Sequence, residues 1–322
     1  MNVAWAASTT RGLGLLRRRV GRTRALELAR SENLDAAVAE LARTPYGREV
    51  RPGMDLAAAR HGVSSTLLWH LRVLAGWGPV LGSARLAALV AGFEAANISG
   101  HVAALDGRGT SRVFDLGSLA GVWPLVARTS TTAEVREVLA ASPWGDPGTD
   151  DFAAVRMALR FAWARRVAQA APEAATWAAA GAALALGRAL VVGAPPPGGS
   201  QAARDATALV GGHWREAADP AGLAASLPPA VRRFLSGPAT EDGSAAGSAP
   251  RRPELGSWSA EAAWWTNVEA EAQVLAAPPR PSAGAVVGVA GALGADAWRV
   301  RAALELAARG GGSLAEVLDA VA

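Results

Sequence analysis

The chain has 322 residues, 51% of them hydrophobic, with 36 Gly, 19 Pro, no cysteine, and 32 basic against 28 acidic residues for a net charge of +4. Every basic residue is arginine, which rules out phosphate-loop lysines, the kinase-type ATP lysine and Schiff-base chemistry; without cysteine there are no disulfides, thiolate nucleophiles or Cys-ligated metals. The pI of 10.9 reflects how little titrates between neutrality and arginine, so a net +4 over this length is a weak signal for nucleic acid.

The length is enough to bury a large core, and valine and isoleucine do not cluster in alternating runs, so the pattern predicts helices. Residues 3 to 30 read as one long helix with Leu13, Leu15, Leu16 and Val20 on one side and Arg17, Arg18 and Arg19 crossing the other. An arginine run of this kind is first a solvated face, and otherwise a contact surface for an acidic partner or anionic headgroups. The arginines follow the first apolar residues, the reverse of a secretory signal, which predicts a cytoplasmic protein.

Asn33 is placed to cap a short helix whose buried face is Leu34, Val38 and Leu41. That helix ends in Thr44-Pro-Tyr-Gly47, and the pattern recurs 98 positions later, where Leu139 matches Leu41 and Ser142-Pro-Trp-Gly145 matches the exit. Proline blocks continuation of the helix and pushes the residue before it to an extended conformation, while glycine admits a positive φ at a tight exit. A repeat near 100 residues suggests duplicated subdomains, over 1–110, 111–212 and 213–322.

Between the two copies, two or three helices are expected from Asp55 to Leu105, with Glu94 and Asn97 one turn apart on an otherwise apolar stretch. Thr131 and Glu134 form a capping-box pattern ahead of the second short helix. A long helix from Asp151 to Gln169 carries Arg156, Arg160, Arg165 and Arg166, and Ala175 to Ala194 reads as a buried helix, since it is mostly alanine and includes Arg188. A linker follows at Gly193 to Ser200. A degraded third copy runs from Leu223 to Gly237, where Ser236-Gly237-Pro238 replaces the exit. Residues 238 to 256 read as a flexible loop, then helices over Trp258 to Ala276 and Gly284 to Arg309, and a last capped turn at Ser313 with Leu314, Val317, Leu318 and Val321 inward.

Enzyme signatures are absent. The four histidines lack partners at ligand spacing, Asp150-Asp151 reads as a helix start, and no nucleophile elbow or dinucleotide fingerprint occurs. No catalytic residue, cofactor or metal is expected. The twelve tryptophans read mainly as space-fillers in an alanine-rich core, with Trp264-Trp265 as a candidate partner groove. Glu94, Asn97, Asp296, Arg299 and Arg301 sit on largely apolar helices, so they must either reach solvent or line something.

Taken in order, the arginine-bearing first helix, the two exits at Thr44-Pro-Tyr-Gly47 and Ser142-Pro-Trp-Gly145, Phe93-Glu-Ala-Ala-Asn-Ile98, the Gly211-Gly212 pair and Asp296-Ala-Trp-Arg-Val-Arg301 make the chain resemble the ring-to-stalk adaptor family of A-type and V-type ATPases, designated C in archaeal and bacterial complexes and d in eukaryotic ones. It departs from that pattern at Ala302 and at Ala174-Ala-Thr-Trp177, where an acidic-x-x-Asn helix would be expected. The resemblance implies a non-catalytic, all-α funnel of three pseudo-threefold subdomains around a central cavity. A protein of that family sits on the cytoplasmic face of the membrane, binds the proteolipid rotor ring and the central stalk, and transmits torque for proton or sodium transport. Membrane contact is then only through the ring, with no nucleic acid and no small-molecule substrate. On this reading Arg17, Arg18, Glu94, Asn97, Asp296, Arg299 and Arg301 are the partner-facing residues. The alternatives are an unrelated helical scaffold or adaptor, and nucleic-acid binding through the Arg17–Arg19 and Arg160–Arg166 faces.

Overall fold

A computed structural model describes residues 3–79, 83–235, 254–277 and 281–310. Among the described residues every regular element is a helix and no strand occurs. The expected exit at Ser236–Pro238, most of the 238–256 loop and the capped turn from Ser313 lie outside the described residues.

The chain divides into two compact units, Met1–Leu86 with Trp265–Ala322, and Ala87–Trp264. In the first unit, α1 (Ala6–Leu16), α2 (Gly21–Ala29), α3 (Leu34–Leu41) and α4 (Leu56–Trp77) pack around α14 (Ala283–Ala308). Helix α14 mixes alanine, a strong helix former, with valines and glycines, which are poor ones, and it is buried along almost its whole length, so packing adds to propensity in holding it. It approaches the described C-terminal part of α13 (Trp258–Ala276) so closely that a Cβ on Gly288 would lie 2.5 Å from the Ala272 carbonyl oxygen.

The expected single helix over residues 3 to 30 is instead two, broken between Leu16 and Gly21. Gly21 takes φ +75°, which an L side chain resists, and the amides of Val20 and Gly21 turn to a carboxylate on α14. A long-range contact invisible to local periodicity thus overrides the helical pattern.

The second unit contains α5 (Ser83–Leu105) from Ala87 onward, α6 (Trp123–Val126), α7 (Thr132–Ala140), α8 (Phe152–Ala170), α9 (Ala175–Val191), α10 (Gln201–Val210), α11 (Pro220–Ser226), α12 (Pro229–Leu235) and the start of α13. One core joins Ala91, Ile98 and Val102 of α5 to Val122, Val126, Val135 and Leu139 of the short helices, and to Trp144, Val155 and Leu159. Helix α9 packs against α8, α10, α11 and α12. The stretches Ala84–Leu105 and Pro172–Val191 are long and apolar enough to cross a membrane by length and composition, and 61% of the second one's apolar window is buried inside the fold.

The predicted cap at Asn33 and the predicted helix start at Asp151 are in place, and Asp55 and Ser200 cap their helices in the same way. Asn33, Asp55, Asp151 and Ser200 each accept a backbone N–H from the first turn of the helix that follows. Thr131 accepts from the Glu134 amide, while Glu134 reaches back to the Ser130 amide, one residue earlier than a capping box at Thr131 requires.

Candidate functional site

The repeated exit is built twice with the same bonds. Thr44 Oγ1 donates to the Leu41 carbonyl at 2.7 Å and accepts from the Tyr46 amide at 3.2 Å. Ser142 Oγ donates to the Leu139 carbonyl at 2.7 Å and accepts from the Trp144 amide at 3.2 Å. The hydroxyl adds a second bond to a carbonyl that already accepts the amide of the same residue, at 3.0 Å in both copies, and fixes where the aromatic side chain points. The glycines differ in their reasons. Gly145 takes φ +78°, as a tight exit predicts, whereas Gly47 does not adopt a positive φ. There a Cβ would sit 2.0 Å from the Ala42 carbonyl oxygen, so close backbone approach excludes a side chain.

A hydroxyl of the same kind occurs where the degraded third copy is expected. Ser226 Oγ donates to the Leu223 carbonyl at 2.8 Å, the same kind of bond as at the two exits. All three leucines are essentially fully buried. This short helix starts from its Asp219 cap and ends at Ser226, ahead of Leu227-Pro228.

The aromatic residues of the first two exits each point into a buried carboxylate. Asp296, 1% exposed, accepts the Gly21 amide at 2.7 Å, the Val20 amide at 3.3 Å and the Tyr46 hydroxyl at 2.9 Å. Glu94, 2% exposed, accepts the Gly121 amide at 2.7 Å, the Trp123 amide at 2.9 Å and the Trp144 indole N–H at 3.1 Å. In both cases one carboxylate on a long helix takes two amides from the start of a short helix and a third donor from the exit aromatic. Those amides have no partner within their own helix, so the carboxylate satisfies them and favours the positive end of the dipole. Gly121 leaves no room for a side chain in this arrangement: a Cβ there would come within 2.9 Å of Glu94 Oε2.

The residue three positions after each acid is buried too. Asn97 accepts the Phe114 amide at 2.8 Å and donates to the Phe114 carbonyl at 2.9 Å, pinning an irregular segment to α5. Arg299 pairs with Glu269, which also lies 3.7 Å from Arg19. Burial raises the Asp296 pKa above the ordinary carboxylate value against the opposing pull of Gly21, Tyr46 and Arg299, and it pushes the Tyr46 phenol well above its usual value, with the Asp296 charge adding to the effect.

Glu94, Asn97, Asp296 and Arg299 are thus buried, not solvent-facing, each with contacts inside its own unit. Arg301 is half-buried and donates to Ser64 Oγ at 2.9 Å. Arg17 and Arg18 are exposed at the end of α1. Trp264 of the expected groove donates its indole N–H to the Trp177 carbonyl at 3.0 Å, and Trp265 stacks on Trp298.

Sequence reasoning missed Tyr46 and Trp144 as donors, although both exits carry an aromatic with a polar hydrogen. It also missed Asp205, buried on α10, which accepts from Gln201 at 2.7 Å and lies 2.9 Å from Arg165. No group of three or more His, Cys, Asp or Glu placed to hold a metal occurs among the described residues. Compared with known proteins, the chain matches no family model and no curated protein.

Proposed function

We propose that the chain is a non-catalytic rotor component of a V/A-type ATPase, joining the membrane proteolipid ring to the central stalk and transmitting torque between them. The observation that carries this reading is the cyclic order of the internal repeat. Helix α14 serves the short helices α2 and α3, α5 serves α6 and α7, and α9 packs against α11 and α12. Each long helix thus supports the short-helix pair of the next repeat, and the last one serves the first. The same order is what the resembled family's plan of three subdomains implies.

The buried carboxylates suit the role mechanically. They tie short helices to long ones through three hydrogen bonds each, in surroundings of low dielectric where such bonds are strong. Torque transmission requires stiffness of this kind and no active site. The third repeat lacks a counterpart: α9 has no acidic residue from Ala175 to Val191, and the Gly211 amide donates to the Thr207 carbonyl of the helix before it. This is the place where the chain departs from the family's acidic-x-x-Asn pattern.

On this reading the exposed Arg17 and Arg18 meet acidic surface on a partner. Glu94, Asn97, Asp296 and Arg299 hold the framework, and Arg301 works from its edge. The test is affinity purification of the tagged chain from gently solubilised native membranes. The wild type is expected to recover the proteolipid and stalk proteins. An Arg17→Glu/Arg18→Glu variant should recover less of them at unchanged thermal stability; recovery of unrelated partners instead would favour the scaffold reading.

A further inference from the structure

Within the first unit lies a cavity of about 420 Å³ whose wall is rich in arginine. Arg18 and Arg19 come from the end of α1, Arg43 and Arg48 flank the Thr44-Pro-Tyr-Gly47 exit, and Trp69 and His70 come from α4. Such a volume is that of a small-molecule pocket.

The charge balance of the wall favours an anion. Its one carboxylate, Asp296, is occupied by three donors. Glu269 lies within ion-pair reach of Arg19, Glu40 of Arg43 and Glu49 of Arg48, whereas no carboxylate among the described residues pairs with Arg18. The Glu40 carboxylate is shared with Arg24, so Arg43, largely exposed, is only partly neutralised. The Arg48 guanidinium carbon lies over the Trp69 ring, 4.0 Å from its centroid, a cation–π contact that holds the group at the wall. His70 is held neutral near pH 7, its pKa lowered to about 4 by burial and by the charges of Arg18, Arg48 and Arg11.

We propose that this cavity binds the phosphate group of a small phosphorylated molecule, with Arg18, Arg43 and Arg48 as charged donors and Trp69 and Leu15 walling the organic part. Guanidinium groups from separate segments suit a phosphate better than a carboxylate, because three terminal oxygens can accept from more than one fork at once. The site shares Arg18 with the partner surface proposed above, while Arg43 and Arg48 belong to the cavity alone, so anion binding without partner binding, or the reverse, separates the two readings.

The experiment is isothermal titration of the full chain with inorganic pyrophosphate at low salt, for wild type, Arg18→Ala and Arg30→Ala. Arg18 and Arg30 are both exposed, so both variants are expected to fold, and circular dichroism checks this. The result expected is saturable one-site binding, weakened about tenfold by Arg18→Ala, as loss of one charge-assisted hydrogen bond implies, and unchanged by Arg30→Ala. Absence of saturable binding would overturn the proposal. So would equal weakening by both variants, which would mark a diffuse basic surface.

Discussion

Replacing Asp296 by asparagine exchanges one carboxylate oxygen for an NH2 group at a site where three donors converge. The Gly21 amide, the Val20 amide and the Tyr46 hydroxyl all need an acceptor there, and Tyr46 is only 5% exposed. Whichever way the amide is oriented, at least one buried donor meets another donor. An unsatisfied buried donor costs about 1–3 kcal/mol, and hydrogen bonds to a charged group sit at the upper end, so Asp296→Asn should destabilise the start of α2 by about 3 kcal/mol. The readout is native-state hydrogen exchange at Gly21 and Val20, which are expected to exchange on the order of 100-fold faster, while amides of α8 and α9 in the other unit keep their rates. In a double-mutant cycle with Tyr46→Phe, the combined loss should fall short of the sum by about 1 kcal/mol, because both changes remove the same bond. Unchanged exchange at Gly21, or full additivity with Tyr46→Phe, would refute the reasoning.

The same logic makes Glu94→Gln destabilising by about 2–3 kcal/mol, read as the denaturation midpoint followed by Trp144 fluorescence in a background with the other tryptophans replaced. Gly47→Ala should cost about 3 kcal/mol or more and Gly145→Ala about 1–2 kcal/mol, since the first meets a carbonyl oxygen while the second only strains φ; thermal melts decide the order. His70 has a folded pKa of about 4 against an ordinary value near 6.5, so the unfolded chain binds a proton first as pH falls. Stability is therefore full above about pH 6.5 and declines toward pH 4 by at most about 3 kcal/mol; His70→Gln should flatten that part of the curve, and a slope unchanged by the substitution would contradict it.

The helical class, the positions of the caps and the paired exits were legible because they are local: a hydroxyl before a proline, an acid or amide before an apolar run, a leucine one turn earlier. The break between α1 and α2 was not, since it depends on an acid 275 residues from Gly21. For the same reason Glu94 and Asp296 stood out in the sequence as polar residues in apolar helices, yet their partners did not. Reading them as lining a cavity or reaching solvent left out the third choice, a carboxylate satisfied wholly by backbone amides and one aromatic donor. A leucine with a hydroxyl bonding back to it occurs at both exits and again at Leu223 and Ser226.

The coupling role is tested most directly in membrane vesicles from cells lacking this chain. ATP hydrolysis by the catalytic head and ATP-driven ion uptake are measured side by side, before and after the purified chain is added back. A torque-transmitting adaptor predicts that hydrolysis persists without it while ion uptake is lost, and that the wild-type chain restores uptake. Ion uptake at the normal rate in its absence would contradict the proposed function.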